Sequence, residues 1–383
     1  MKKSMTSRER LLTAIRHEEP DIVPNSPRIH AYLGEYYRGT PKGLLDAAEE
    51  FDFDPIVTTG PGLSNYISSP YGSYKELEHV SVELKEEKVG DCTKIYRHIK
   101  TPAGALTDGF LIAPAFREYG IFPNPHRFEY AVKEPTDVEK IRYLLPDPAQ
   151  ADMNHYSGLV QNVGERGLVE VRPTIGADHY LVDALGQVNA MAAYYENKEM
   201  LMELLKLFHS YNHAVMKICL EAGTEVIFDS WYNCSMSAGW SPQIYQEIFL
   251  PLIEENVELT HSCGAFYHFY DDGKCMAIIE WLRDCGIDII STLPPPPVGD
   301  VDLAVVKQKI GDMVCLKGNI DLIYVLLKGT PELVREKVKE TIRMAAPGGG
   351  FILSTSDSIR DGTPIENVRA YFDAAREYGV MSL

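Results

Sequence analysis

The chain has 383 residues, of which 45% are hydrophobic, and a formal net charge of −18 at pH 7. This size allows one large core or two small ones, and the negative charge argues against a nucleic-acid partner and against an anionic membrane surface. We find no apolar run of membrane-spanning length and no signal-peptide pattern, and the seven cysteines have no framework spacing. We therefore expect a protein of the reducing cytoplasm.

The N-terminal third predicts short helices and strands followed by an insertion. Amphipathic helices are expected at residues 6–17 and 42–51, and strands at residues 25–29 and 55–59. Residues 79–112 alternate apolar and polar side chains between glycine-containing turns, a pattern typical of antiparallel hairpins.

From about residue 135 the pattern alternates between helix and strand. Helices are expected at residues 332–346 and 365–378, among others. With the two early strands this predicts eight βα units, and thus an α/β fold of the (β/α)₈ TIM-barrel type. We expect one domain over residues 1–383, with the hairpin as an insertion. The alternative is a doubly wound sheet, but no glycine-rich phosphate loop follows an early strand. The later strands are predicted at residues 168–172, 225–229, 266–270, 287–291, 313–316 and 350–353.

The position at which one helix ends determines which histidine could bind a metal. Ser241 and Pro242 are typical of a helix start, and Gly264 is the natural stop. Residues 266–270 then form a buried, aromatic-rich strand that carries His268.

An alternative reading begins a strand near residue 257 instead. His261 and Cys263 would then form a soft-metal pair with a thiolate ligand. That reading leaves too little helix to cross the barrel wall, so we favour His268.

In TIM barrels the chemistry lies where strands end. The residue types at the predicted strand ends form a polar, aromatic-rich ring with one central histidine and several carboxylates. The candidates are Arg28, His30, Thr58, Thr59, Arg172, Asp229, Trp231, Tyr232, His268, Tyr270, Asp271, Thr292, Asn319, Asp321, Ser356 and Asp357.

Several sequence blocks, in order along the chain, resemble the uroporphyrinogen decarboxylase superfamily. This resemblance runs nearly from end to end and implies a (β/α)₈ barrel. The blocks are SRERLLTAI at residues 7–15, EPDIVP at 19–24, TPAG at 101–104, SP at 241–242, FLP at 249–251, KGNID at 317–321, GGGFIL at 348–353 and GTPIENV at 362–368.

The superfamily carries two main chemistries. The haem-pathway decarboxylase has an arginine-rich segment after its first strand, whereas residues 25–32 here contain one arginine, Arg28. Corrinoid-dependent methyltransferases carry zinc at the strand ends. In their thiol-methylating branch the ligands are a histidine and two cysteines, and these positions fall here on His268, Tyr270 and Asp357.

Loss of both thiolates implies a harder, oxygen-rich zinc site, similar to that of the branch that demethylates methyl ethers. That branch has a glutamate separated from the histidine by twenty residues, which matches Glu247 and His268. Its other glutamate falls at Tyr232, and Asp229 is the nearest carboxylate. The resemblance thus implies zinc ligands His268, Glu247, Asp229 and Asp357, with His268, Asp229 and Asp357 as catalytic groups.

The leading functional hypothesis is a zinc-dependent methyltransferase. It would move a methyl group from a small methylated substrate, in particular an aryl methyl ether, to cobalt(I) of a corrinoid (cobalamin) held by a partner protein, with zinc as Lewis acid. Exposed apolar helix faces are also consistent with a homodimer. The expected substrate contacts are Arg28, His30, Arg172, Trp231, Tyr232, Tyr270 and Asn319.

Two other functions compete with it. A metal-free decarboxylase or lyase requires that Arg28, Arg172 and Arg360 converge in the pocket to hold carboxylates. A non-catalytic corrinoid- or tetrapyrrole-binding protein requires a wide mouth.

Overall fold

The computed structural model describes residues 4–29, 40–71, 74, 77–114, 125–360 and 362–380. No helix in these ranges combines the length and the apolar character that a bilayer crossing needs. The strands are β1 Ile56–Thr59, β2 Ser81–Val89, β3 Cys92–Thr101, β4 Gly104–Ile112, β5 His126–Glu129, β6 Leu168–Val171, β7 Val226–Ser230, β8 Phe266–Asp271, β9 Ile289–Thr292, β10 Cys315–Ile320 and β11 Phe351–Thr355. The α-helices are α1 Ser7–Ile15, α2 Pro41–Phe51, α3 Asp137–Ile141, α4 Tyr156–Val163, α5 Ala177–Leu185, α6 Gln187–Glu196, α7 Lys198–Glu221, α8 (Pro242–Ile244 and Leu250–Ser262, joined by a π-helical turn at Tyr245–Phe249), α9 Ile279–Asp284, α10 Leu303–Ile310, α11 Pro331–Ala345 and α12 Ile365–Gly379.

Seven of the strands form one parallel sheet in the order β1-β6-β7-β8-β9-β10-β11. The six later predicted strands are all present, and each lies close to its predicted bounds. Such βα succession is the sequence pattern of parallel sheets, because each helix returns the chain to the same edge.

The predicted strand at residues 25–29 is wrong as an extended strand. Among the described residues it appears as a single parallel bridge between Asn25 and Leu353 of β11. Asn25 also accepts a backbone hydrogen bond from Asp54, just before β1, at 2.7 Å. Its segment therefore links the two end strands of the parallel sheet.

The predicted hairpin insertion is confirmed and larger than expected. Strands β2, β3, β4 and β5 form a separate antiparallel sheet in chain order. The buried charges of Arg97, Asp108 and Arg127 lie in this sheet: Arg97 donates from Nε to Asp108 at 2.7 Å, and Arg127 lies 3.2 Å from the same carboxylate. Arg97 also donates to the carbonyl of Tyr66 at 2.7 Å, which ties the insertion to the loop after β1.

The predicted helix end is confirmed. The Ser241 hydroxyl accepts a hydrogen bond from the backbone N–H of Ile244 at 3.2 Å, and Gly264 after α8 has a φ of 73°. His261 lies in the last turn, where its Nε2 pairs with Asp288 at 2.8 Å, and Cys263 is exposed. The alternative soft-metal pair is therefore wrong.

Side chains of the parallel sheet form two layers on one of its faces. The lower layer is apolar and makes a small core of its own with Leu11, Ala14 and Ile15 of α1. Because alternate residues of a strand share a face, the residues two positions further on form the layer above. The lower layer comprises Ile56, Leu168, Val226, Phe266, Ile289, Cys315 and Ile352.

The charge cluster of the antiparallel sheet makes a testable contribution to stability. Asp108→Asn removes the carboxylate that neutralises Arg97 and Arg127, and both cations then stay buried without it. We expect the free energy of unfolding to fall by about 3–5 kcal/mol, measured by urea denaturation. The matched control is Glu83→Gln on β2, whose pair with Lys100 is solvent-exposed; it should leave stability nearly unchanged. Equal effects of the two variants would contradict this assignment.

Candidate functional site

A cavity of about 270 Å³ opens above the apolar layer of the parallel sheet. The walls combine charged and aromatic side chains from five strands and the loops that follow them. The chemistry-bearing wall residues are Arg28, Thr58, Glu170, Arg172, Phe228, His268 and Lys317. The cavity thus lies where the fold class places active sites.

His268 and Glu170 form a buried hydrogen-bonded pair at the floor of this cavity. The distance from Nδ1 of His268 to Oε2 of Glu170 is 2.8 Å, and Thr58 donates to the other carboxylate oxygen at 2.7 Å. The two side chains are only 2% and 6% exposed. Nε2 of His268 is buried and has no hydrogen-bond partner among the described residues.

Burial sets the protonation of this pair. Burial disfavours the Glu170 carboxylate, but the charge of a protonated His268, the hydrogen bonds from His268 and Thr58 and the charge of Lys317 outweigh it, so the pKa of Glu170 falls to about 2. Burial lowers the pKa of His268, and the attraction to Glu170 offsets this only in part. Near neutral pH His268 is therefore uncharged, donates from Nδ1 to the Glu170 carboxylate and presents a free lone pair at Nε2.

Three cations line the same cavity as His268. Lys317 is 3% exposed, and its amine donates to the Ser354 hydroxyl at 3.2 Å. The guanidinium carbons of Arg28 and Arg172 lie 5.5 and 5.9 Å from the centre of the Phe228 ring. This concentration of positive charge suits a bound anion.

The rim of the cavity is tied together by Asp357. Tyr270 donates to one of its oxygens at 2.9 Å, Arg360 donates to the other at 3.2 Å, and Arg28 lies 3.9 Å away. Arg28 also stacks over the Tyr270 ring at 4.4 Å. Asp357 therefore orients the cationic rim, and its oxygens already have partners.

In the structure, Asp229 and Trp231 lie away from this cavity. Asp229 lies next to Phe228 on β7 and so points to the opposite face of the sheet, where it accepts hydrogen bonds from Tyr267 at 2.7 Å, Trp231 at 3.0 Å and Asn256 of α8 at 2.9 Å. The structure therefore does not bring Asp229, predicted as a catalytic and metal-ligating residue, or Trp231, predicted as a substrate contact, to the cavity, because strand side chains alternate between faces.

Glu247 also lies elsewhere. Its side chain is 47% exposed and pairs with Lys198 and Tyr194 at the junction of α6 and α7. Twenty residues separate Glu247 from His268 in the sequence, but Glu247 lies in the π-helical turn and faces solvent, so the structure does not bring this predicted metal ligand to His268.

The remaining predicted contacts divide between the cavity and its surroundings. Tyr232 donates to or accepts from Nδ1 of His179 at 2.6 Å, and its ring centre lies 6.3 Å from that of Tyr270. Asn319 lines a separate cavity of about 440 Å³ together with Asp321. His30 lies outside the described residues.

Glu170 and Lys317 are the functional candidates that the sequence prediction missed. Glu170 lies in a run predicted as a buried strand and Lys317 directly follows one, and each is two positions before a selected residue, Arg172 and Asn319 respectively. A charged side chain inside a buried strand was the available signal, since such groups are rarely buried without a partner.

The donor set does not fit a zinc ion. Within the described ranges no group of three His, Cys, Asp or Glu side chains is arranged to hold a metal. Both oxygens of Glu170 accept hydrogen bonds, and the charged groups next to His268 include Lys317 and Arg28, whose positive charges lower its pKa. The same charges would repel a metal ion and attract an anion.

Comparison with known proteins identifies the family. The family model described as Uroporphyrinogen decarboxylase (URO-D) matches residues 179–378, more than half of the chain. The chain belongs to the uroporphyrinogen decarboxylase family.

Similar proteins include annotated decarboxylases from cyanobacteria. Uroporphyrinogen decarboxylase of Trichodesmium erythraeum is 33% identical over 163 residues, which cover 41% of this chain and 42% of the relative. The enzyme of Prochlorococcus marinus strain NATL2A is 28% identical over 254 residues, or 62% and 67% of the two chains. The chain thus spans less than half of the first of these relatives.

A solved structure shares the fold over nearly the full length. A methyltransferase from Methanosarcina mazei has a TM-score of 0.62 and 16% identity, over 98% of this chain and 99% of that one. At this identity the match describes the fold, and the function has to be argued from the site.

The Glu170–His268 pair predicts a pH-dependent contribution to stability. A carboxylate whose pKa is lowered to about 2 on folding stabilises the protein above its usual pKa of 4.5, and this stabilisation is lost as the pH falls towards 2. Glu170→Gln should therefore lower the free energy of unfolding near pH 6 by about 1.5–3 kcal/mol, the range for hydrogen bonds to a charged group. Urea denaturation between pH 3 and 6, a range of ~3 pH units, should show this difference narrowing below the usual pKa. A difference independent of pH would contradict an ionised Glu170.

Proposed function

We propose that this protein is a metal-independent decarboxylase or lyase that acts on a small carboxylic acid. The observation that carries the proposal is that Arg28, Arg172 and Lys317 line one cavity with a neutral histidine, His268, whose Nε2 has no partner among the described residues. The hypothesis of a metal-free decarboxylase required three cations in the pocket, which the sequence placed at Arg28, Arg172 and Arg360. In the structure the third cation of the cavity is Lys317, while Arg360 lies at the rim and donates to Asp357.

The size of the cavity limits the substrate. Its volume of about 270 Å³ lies below the roughly 300–1,000 Å³ typical of pockets for drug-sized ligands. A tetrapyrrole with eight carboxylate arms is much larger than this cavity. The described walls therefore favour a substrate with a short carbon skeleton and one or two carboxylates.

Each wall residue has a role in such a reaction. Arg28 and Arg172 hold substrate carboxylates, and the apolar ring of Phe228 favours departure of neutral CO₂. When the carbon–carbon bond breaks, the electron pair stays on the remaining carbon, which must then be protonated. Nε2 of His268 is the atom that carries this proton, and Glu170 orients the ring and stabilises its protonated form.

We also propose that the parallel sheet closes into a (β/α)₈ barrel. Asn25 links β11 to the residue before β1 through backbone hydrogen bonds, which supports a closed ring in which this segment takes the eighth position. The cavity would then be the mouth of the barrel.

The proposal predicts CO₂ release that depends on His268 and the two arginines. In a coupled CO₂ assay across small mono- and dicarboxylic acids, His268→Gln should lower kcat by about 10²–10⁴-fold, because the proton carrier is lost. Arg28→Gln and Arg172→Gln should mainly raise KM.

The control for charge removal is Arg166→Gln, since Arg166 is exposed and pairs with Glu49 at 3.4 Å on the surface. It should leave both kinetic constants unchanged. The proposal fails if no acid releases CO₂ and if small dicarboxylates also fail to raise the melting temperature of the wild type.

A second candidate is methyl transfer with a corrinoid partner protein. Two observations favour it: the cavity is small, and a methyltransferase shares the fold. The corrinoid of the partner would accept or supply the methyl group. The arginines would hold an anionic methoxy substrate, and the amine of Lys317 would face the oxygen that loses its methyl group. Zinc has no part in this version, because the donor set does not suit it.

Metal analysis and a cobalt assay separate the two candidates. We expect well under one zinc per chain in wild type and the same content in His268→Ala. Cob(I)alamin with methoxybenzoates should give no methylcobalamin absorbance if decarboxylation is the activity. Near-stoichiometric zinc that disappears in His268→Ala, or His268-dependent methylcobalamin, would instead support methyl transfer.

A further inference from the structure

Lys317 is a buried amine without a carboxylate partner. It lies on β10 and lines the cavity, with 3% of its surface exposed. Its amine donates to the Ser354 hydroxyl at 3.2 Å, and no carboxylate within the described ranges forms an ion pair with it. Arg97, the other deeply buried cation considered above, has the carboxylate of Asp108 beside it.

Such an environment favours the neutral amine. Burial lowers the pKa of Lys317 to about 8; the charge of Glu170 opposes this shift, and that of Arg28 adds to it. Roughly one tenth of the chains then carry a neutral amine near pH 7. A neutral, dehydrated lysine amine is a nucleophile towards carbonyl groups.

The groups around Lys317 complete a site for carbonyl chemistry. His268, on a neighbouring wall, offers a free Nε2, and its pKa responds to the charge of Lys317. Arg28 and Arg172 supply the charge that would hold a carboxylate attached to the same substrate. A substrate that uses all four groups carries a carbonyl and at least one carboxylate on a short skeleton.

Building on the proposed function, we propose that Lys317 is a catalytic nucleophile that forms a Schiff base with a small β-keto acid, which the enzyme then decarboxylates. The lone pair of Nζ attacks the carbonyl carbon, and His268 takes the proton released from nitrogen. The carbonyl oxygen takes two protons from solvent and leaves as water, which gives an iminium ion.

The iminium ion then accepts the electrons of the breaking bond. The carbon–carbon bond to the carboxylate breaks, CO₂ departs over Phe228, and the electron pair forms an enamine. Nε2 of His268 returns a proton to the enamine carbon. Water hydrolyses the resulting iminium ion, which releases the ketone, a proton and the free amine of Lys317, so that no oxidant or reductant is required.

Reductive trapping tests the covalent step directly. The full chain is incubated with oxaloacetate and sodium borohydride, and the adduct is located by peptide mass spectrometry. We expect one adduct per chain at Lys317 in wild type and none in Lys317→Met or Lys317→Arg. The arginine variant keeps the charge but has no nucleophilic amine. The trapping rate should rise with pH and level off above about 8, the pKa of Lys317.

The matched control is Lys307→Met. Lys307 is also a partly buried lysine whose pKa is lowered by burial, but its amine donates to the carbonyl of Gly349 and does not line the cavity. This variant should keep the adduct at Lys317. Thermal unfolding of both methionine variants checks that they fold.

Succinate, which has carboxylates but no carbonyl, separates this inference from the proposed function. Succinate that raises the melting temperature in an Arg28-dependent manner, without any oxaloacetate adduct at Lys317, overturns the Schiff base and leaves carboxylate binding intact. An adduct that persists on other lysines in Lys317→Met also overturns it. Absence of both succinate binding and adduct overturns the inference and the proposed function together.

Discussion

The candidate site depends on the alternation of side chains along parallel strands. Residues two positions apart on one strand share a face, and strands in register carry this pattern across the sheet. One face therefore holds an apolar layer sealed by α1 and, directly above it, a polar layer with Glu170, His268 and Lys317. The apolar layer keeps water from the floor, so the charges above it act in a medium of low dielectric.

The low dielectric affects the protonation of Glu170, His268 and Lys317 in different ways. Glu170 has two hydrogen-bond donors and stays ionised, His268 donates to Glu170 and stays neutral, and Lys317 meets a single hydroxyl, so burial favours loss of its proton. A carboxylate, a neutral imidazole and a partly deprotonated amine thus occur side by side. Groups whose protonation is shifted in this way, in a cleft, are typical of sites that transfer protons.

The comparison with relatives illustrates why a shared fold leaves the reaction open. Sequences called uroporphyrinogen decarboxylase and a structure called a methyltransferase both match this chain. Barrels of one family can carry different chemistry because the strand-end side chains change while the packing of strands and helices is kept. Here the cations around His268 favour an anionic substrate over a metal ion, and this local charge guides the functional proposal.

Local signals in the sequence determined much of the fold. A capping serine, a proline at the first helical position and Gly264 were sufficient to bound α8, because these residues satisfy or permit the backbone geometry at helix ends. The same boundary put His268 on a strand, and six later strands followed from their buried runs. The sequence also pointed to Arg28 and Arg172, since they lie at the ends of predicted strands.

Only the tertiary structure decided which of these residues meet. Glu170 and His268 are 98 positions apart, and their contact depends on the order and register of the strands between them. Asp229 and Phe228 lie on opposite faces of the sheet, and Glu247 lies in a π-helical turn that faces solvent. The positions of both carboxylates in the sequence had nevertheless suggested that they bind a metal. Spacing along the chain carries no information on strand register or on the direction of a side chain, and these two quantities define the site.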